Sequence, residues 1–354
     1  MSASSLTVSA HDVRLSARLS EIIAEKRDSS LRFALPFVQL WEQVDALMTT
    51  GKKVRPRLFL DVYVALGGRD TAMAIDAACA LEFLHAALVI HDDVIDKDVM
   101  RRGEMNITGR FASEAVVRGV PTWSAHAWGE ASSLLAGDLL LTTAQSLIAR
   151  LDVDNEVRLA ALDAFDDSVF TSAAGEQTDV WHSLHLEQAS VDAVCAVMEQ
   201  KTAHYSFQTP LRLAATLAGA SSDVQDQFDI VGRNIGVVYQ LRDDVLGVFG
   251  DERETGKSVL SDLREGKETL LIAFSRTHQR WAEVAGAFGD PHLTVEDGRR
   301  LRDVIDSSGA LQLVESLISE HVDRVSELIA DARFPASLRT QLLDLTNLCA
   351  TRTS

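Results

Sequence analysis

Apolar residues recur at intervals of three and four along most of the chain. Leu15, Leu19, Ile22 and Ile23 do so near the start; Val314, Leu317, Ile318, Val322, Val325 and Ile329 do so further on. That is the period of an amphipathic helix, and no run of alternating β-branched residues marks a strand. The pattern predicts helices over about 11–27, 33–49, 56–66, 71–97, 105–118, 124–150, 155–178, 189–218, 224–248, 268–287, 295–307, 310–331 and 336–350. Pro56 suits a first helical turn, where its missing N–H is harmless. The stretches 71–97 and 124–150 are apolar nearly all round, which places them inside a bundle rather than on its surface. Neither GVFGDERETGKS (247–258) nor GAFGDPHLTVEDG (286–298) is long and polar enough to separate domains. The expectation is therefore all-α: one helical domain over 1–354, with 1–30 peripheral.

Composition narrows the function. With 34 Lys and Arg against 52 Asp and Glu among 354 residues, the net charge is −18. This argues against a general nucleic-acid or anionic-membrane binder, which needs clustered cations. An anionic substrate must then be held by a local basic patch or by metal ions. Cys79, Cys195 and Cys349 lie far apart and odd in number, so neither a disulfide framework nor a zinc knuckle is expected. The N-terminal segment lacks a secretion or transit pattern, and a cytoplasmic setting fits. The apolar stretch 72–91 contains Asp76, Glu82 and His85, and 137–144 contains Asp138, so no membrane span is expected.

The sharpest local feature is HDDVID, His91–Asp96, at the end of an apolar helix. Asp92 and Asp96, four apart, share a helix face about 5–6 Å from each other. Such oxygen ligands suit Mg²⁺, which also takes substrate phosphate oxygens. In so acidic a chain this triplet arises by chance about once, but these acids end an apolar helix, where unpaired carboxylates are costly. A second set, Asp243, Asp244 and Asp251, ends another apolar helix. Cations flank both: Lys52, Lys53 and Arg55; Arg101 and Arg102; Lys201; Lys257 and Lys267. In an acidic protein, Lys and Arg beside metal-binding carboxylates point to a diphosphate.

These motifs resemble the trans-isoprenyl diphosphate synthases, or polyprenyl synthetases, in order from about residue 35 to 275. The matching series is GKKxRP (51–56), LHxAxxxHDDxxDxDxxRRG (84–103), GDLLL (137–141), GxxxD (175–179), KTAxYxFxxPL (201–211), and GxxYQLxDDxxGxxxD followed by TGK and LREGKxT (236–269). The resemblance implies the isoprenoid-synthase bundle with a central cavity, three Mg²⁺ ions and a homodimer. It implies condensation of isopentenyl diphosphate with dimethylallyl, geranyl or farnesyl diphosphate, most like a short-chain geranylgeranyl diphosphate synthase. Lys52, Arg55, His85 and Arg102 match the isopentenyl diphosphate site. Asp92 and Asp96, with Asp93 between them, match the metal ligands on the allylic diphosphate. Asp243, with Asp244 beside it, matches the ligand of a third ion. Arg101, Lys201, Lys257 and Lys267 match direct phosphate contacts, and Thr202 and Gln240 match residues near the reacting carbons.

Some positions depart from the pattern: Lys53, Glu176, Tyr239, Met105, and Gly247 in place of the last aspartate of the second motif, with Asp251 a substitute. For product length, one helical turn of 5.4 Å is about one isoprene unit. Small Ala86 and Ala87, followed by Leu88, leave a growing tail unobstructed by an aromatic ring, with Leu84 and Leu81 as a floor. In this family that favours a C20 product, and carotenoid precursors are a natural use. A farnesyl or longer-chain synthase, a terpene cyclase, and a non-catalytic subunit of a heteromeric synthase are the alternatives. The cyclase does not need the Lys52/Arg55 box, and the subunit expects eroded aspartates. The segment 250–258 has one residue too many between its glycines for a nucleotide loop, and HSLH (182–185) reads as surface histidines near Trp181 rather than a metal site. Residues 280–354 show helical periodicity without identifiable chemistry.

Overall fold

A computed structural model describes residues 10–101, 103–250 and 260–353. It is 79% helical with almost no strand. Its contacts divide it into two compact units. One holds the described residues up to Asp163 with Thr216–Ala218; the other holds Ala164–Ala215 and the described residues from Gly219 on.

The first unit contains α1 (Ala10–Ser30), α2 (Leu35–Met48), α3 (Val54–Ala65), α4 (Thr71–Ile95), α5 (Ile107–Val117) and α6 (Thr122–Ala149). Helix α4 is its core element and packs against α1, α3 and α6. Asp70 starts it by accepting from the Met73 N–H at 3.0 Å, an N-cap that satisfies one orphan donor. Ala77, Ala78, Cys79, Ala80, Leu81 and Ala87 are all at or near zero exposure. By length and mean hydropathy alone α4 would qualify to cross a membrane. However, 78% of its apolar window is buried inside the protein, as in a core helix.

Helix α6 corrects the other all-apolar expectation. Trp123, Leu134 and Leu135 are 77%, 50% and 52% exposed. Between α4 and α5 the chain forms a short antiparallel pair, β1 (Met100–Arg101) and β2 (Glu104–Met105), with Gly103 at φ 79° making the turn. Two-residue strands carry too little alternation to be seen in the sequence.

The second unit takes α7 (Asn155–Ser183) from Ala164, then α8 (Val191–Met198), a π-helical segment (Glu199–Gln208), α9 (Thr209–Leu217), α10 (Ser222–Phe249), α11 (Ser261–Glu265), α12 (Leu270–Ser275), α13 (Val295–Ser307), α14 (Ala310–Asp331) and α15 (Ala336–Thr351). Helix α10 packs against the π-helical segment, α14 and α15. Val314, Ile318, Val325 and Ile329 form the buried stripe of α14, as their spacing predicts. Two predicted helices are interrupted. The span 189–218 contains ten π-helical residues, and 268–287 leaves the α-helix after Ser275 for two 3₁₀ turns, Gln279–Glu283 and Ala285–Ala287.

Candidate active site

The first acidic motif occupies the C-terminal turn of α4. A carboxylate oxygen of Asp92 and one of Asp96 lie within 4.8 Å of each other, as residues four apart on a helix should. Asp93 points elsewhere: its side chain is 6% exposed, and Arg101 Nη2 lies 2.5 Å from its Oδ1 and 3.5 Å from Asp92 Oδ2. Burial pushes the Asp93 carboxyl above the usual aspartate range, against the pull of Arg101. Burial also works against the Arg101 charge, but the bond to Asp93 holds that guanidinium above its ordinary value. Acids at a helix C-terminus face its negative dipole end, and Arg101 offsets that. The β1–β2 turn brings Arg101 back to them, secured by Asn106, whose Nδ2 donates to Asp98 O at 2.7 Å and whose Oδ1 caps α5 through the Gly109 N–H at 2.9 Å. The GDLLL motif has a packing role here, because a Cβ at Gly137 would collide with His91 Nε2.

At the start of α3, Lys52 is exposed and Arg55 partly buried. Between them Lys53 turns inward with φ 52°. Its Nζ donates to Met48 O and Thr50 O at 2.8 Å and lies 3.0 Å from Glu82 Oε1 on α4. Lys53 thus ties the box to the core. Along α4, His85 and Leu88 retain surface, whereas Leu81, Leu84 and Ala87 are 0–1% exposed. Phe83, four residues before Ala87 and on its face, is 1% exposed. An aromatic ring therefore stands one turn beyond Ala87.

In the second unit, Lys201 and Thr202 lie in the π-helical segment, a conformation concentrated at functional sites. Gly175 lets α7 approach it, since a Cβ there would stand 2.5 Å from Lys201 N, and Gly236 of α10 would collide with Ala203 if it carried one. Lys201 Nζ lies 2.8 Å from both Glu176 Oε2 and Asp179 Oδ2.

The second acidic motif lies on α10. Asp244 is buried; Gln240 Nε2 donates to its Oδ1 at 2.8 Å, and Lys267 Nζ lies 3.7 Å away. Burial pushes the Asp244 carboxyl up to about 7, against Lys267 and Gln240. Burial disfavours the Lys267 charge, yet the acids Asp262, Asp244, Asp179 and Asp243 hold it well above its ordinary value. Asp243 is half exposed and pairs with Arg352. At Gly247 a Cβ would collide with Asp262 Oδ2, so a carboxylate from α11 occupies the space left by the missing side chain.

The structure thus brings Asp92, Asp93, Asp96 and Arg101 together in one unit, and Gln240, Asp243, Asp244 and Lys267 together in the other. Arg102, Lys257 and Asp251 lie outside the described residues. Asp262 and Arg352 were missed by sequence reasoning. Gly247 announced a missing side chain, but with Asp251 rather than Asp262 as the expected substitute, and no local pattern signalled Arg352.

The polyprenyl synthetase family model matches residues 39–117 and 113–285. Geranylfarnesyl diphosphate synthase of Aeropyrum pernix is 32% identical over 292 residues, 81% of this chain and 84% of that protein. The (2E,6E)-farnesyl diphosphate synthase of Mycobacterium tuberculosis is 29% identical over 310 residues, 85% and 80% of the two chains. Among solved structures, geranylgeranyl pyrophosphate synthase from Corynebacterium glutamicum, complexed with isoprenyl diphosphate and magnesium, has a TM-score of 0.90 at 27% identity, covering 98% of this chain and 100% of its own. The fold is that of an all-helical prenyl-transferring enzyme. The chain belongs to the polyprenyl synthetase family and is a trans-prenyl diphosphate synthase. Its relatives carry names that imply different product lengths.

Proposed function

We propose that the chain is a Mg²⁺-dependent prenyltransferase that joins isopentenyl diphosphate head-to-tail to dimethylallyl, geranyl or farnesyl diphosphate, giving geranylgeranyl diphosphate, C20. The observation that supports it most is the Asp92/Asp96 oxygen pair at the end of a buried helix, with Arg101 alongside. All-oxygen, partly exposed donors fit a hard cation that keeps waters and substrate phosphate oxygens. Asp92 and Asp96 would hold two ions, with Asp93 fixing Arg101 beside them, and Asp243 would hold a third, with Asp244 behind it. Bound magnesium supplies concentrated positive charge at the leaving diphosphate.

Arg101, Lys201 and Lys267 neutralise diphosphate oxygens as the allylic C–O bond breaks, favouring the charge that develops there. Lys257 is assigned the same role by resemblance. Lys52 and Arg55, at the start of α3, present side-chain cations and helix N–H groups to the isopentenyl diphosphate headgroup, a geometry suited to anions. His85 and Arg102 complete that set. The isopentenyl double bond attacks the allylic cation, and the proton lost passes to the departing diphosphate. Thr202 and Gln240 flank the reacting carbons.

The C20 length rests on Ala86, Ala87 and Leu88 admitting the tail, with Leu84 and Leu81 as its floor and the Phe83 ring, one turn beyond Ala87, limiting it on that face. Exposed Trp123, Leu134 and Leu135 on α6 support a homodimer, since large exposed apolar residues on one helix favour burial against a second copy. The test is incubation of the purified chain alone with Mg²⁺, isopentenyl diphosphate and farnesyl diphosphate. Linear C20 diphosphate is expected. A C15 arrest, a longer chain, a cyclic hydrocarbon, or turnover only with a second chain would each replace this reading.

A further inference from the structure

His185 lies between α7 and α8 with φ 51°, a left-handed backbone uncommon outside glycine. Its Nδ1 is 3.1 Å from Glu268 Oε1, and its ring centroid is 5.3 Å from that of Phe288. Two left-handed glycines leave room for it. A Cβ at Gly266 would collide with His185 Nε2, and one at Gly289 would stand 3.0 Å from it. Glu268 is 1% exposed and also takes the guanidinium fork of Arg276, with Nη1 2.5 Å from Oε2. Arg276 in turn lies 5.6 and 5.9 Å from the ring centroids of Phe288 and Trp281.

Lys267 immediately precedes Glu268, on a short bridge between two helix caps. Gly266 closes α11 with φ 70°, and the Lys267 N–H donates to Asp262 O at 2.9 Å. Thr269 opens α12 by accepting from the Ile272 N–H at 3.4 Å. Lys267 and Glu268 are the residues between those caps. A buried carboxylate with full partners fixes its own backbone, and hence the point from which the Lys267 stem departs.

We infer that His185 is a positioning residue for Lys267: it wedges between Gly266 and Gly289, holds Glu268, and so sets the direction in which Lys267 meets the allylic diphosphate. This rests on the diphosphate role proposed for Lys267. The test is steady-state kinetics with farnesyl diphosphate for His185→Gly, His185→Asn, Lys267→Ala and the double variant His185→Gly/Lys267→Ala. Glycine and asparagine both tolerate the left-handed backbone, so neither variant strains the fold, and asparagine restores a short polar group near the Nδ1 position.

His185→Gly is expected to raise KM for farnesyl diphosphate about fivefold with kcat nearly unchanged, within the range for directly coupled neighbours. His185→Asn restores most of that, and the effect of His185→Gly disappears when Lys267 is already alanine. An unchanged KM in His185→Gly, no rescue by asparagine, or the same increase in the Lys267→Ala background would overturn the inference. An unchanged KM in Lys267→Ala alone would instead remove the diphosphate role on which it stands, and the inference with it.

Discussion

Arg352, just past α15, holds Asp243 of α10: its Nη2 lies 2.5 Å from Asp243 Oδ1, and its guanidinium carbon sits 3.9 Å from the centre of the Tyr239 ring. Burial opposes the Arg352 charge, but Tyr239 and Asp243 keep it above its ordinary value. Arg242 braces the arrangement by donating to Ala350 O at 2.6 Å and to both oxygens of Glu315. The guanidinium occupies an oxygen that the proposed third magnesium also needs. Arg352→Gln therefore lowers the magnesium concentration for half-maximal activity by about two- to fivefold, the scale of a half-exposed ion pair. Magnesium titration of initial rates checks this; an unchanged or higher half-saturation contradicts it.

The Lys53–Glu82 pair is nearly dry, with side chains 13% and 8% exposed. Glu82→Ala leaves the ammonium with carbonyl partners but no counter-charge, and destabilises the protein by about 3 kcal/mol. The double variant Lys53→Met/Glu82→Leu recovers most of that, because it removes both charges. Urea unfolding measures both; a double variant as unstable as the single would refute the charge argument.

Burial lowers the pKa of His321, against the pull of Glu320 and Glu199 and with the help of Arg233. Its Nδ1 lies 2.9 Å from Asn234 Oδ1. The folded state then takes up a proton less readily than the unfolded state. This group's contribution is complete above the ordinary histidine value of 6.5 and is lost as pH falls through it toward the depressed folded value. His204, also lowered by burial, works in the same direction. Melting temperature should fall from about pH 7.5 to about pH 5.5, and His321→Gln should make the fall shallower. An equal slope in the variant would assign the loss elsewhere.

Ala87→Phe should shift the product toward shorter chains, at a stability cost of about 1–3 kcal/mol for overfilling a site with no exposed surface. Product chromatography after condensation with farnesyl and geranyl diphosphates reads the shift. An unchanged length would mean that the tail does not pass Ala87.

The hydrophobic period disclosed α1, α4, α13, α14 and α15 because each buries one face or its whole circumference, and that demand is written locally. It did not disclose the π-helical segment Glu199–Gln208, which Gly175 and Gly236 approach closely, because that wider winding leaves no mark in the local spacing of apolar residues. The expected helix 268–287 ends after Ser275 because His278 adopts extended backbone and its Nδ1 accepts from the Arg280 N–H, starting a 3₁₀ turn instead. Asp92, Asp96, Asp243 and the lysines stood out in the sequence because the proposed diphosphate chemistry would need acids and cations at fixed spacing. Arg352 was not, because its partner lies 109 residues away. Asp262 was hidden for a similar reason: its meeting with Gly247 depends on how α11 packs on α10.

In the proposed reaction the Asp92/Asp96 carboxylates enable diphosphate departure. The most direct measurement is the initial rate of diphosphate release by Asp92→Asn at saturating magnesium, isopentenyl diphosphate and farnesyl diphosphate, with folding checked by melting temperature. A loss of about 10²–10³-fold with the fold intact is expected, while a rate within about threefold of the unaltered enzyme would rule out that role for the two carboxylates.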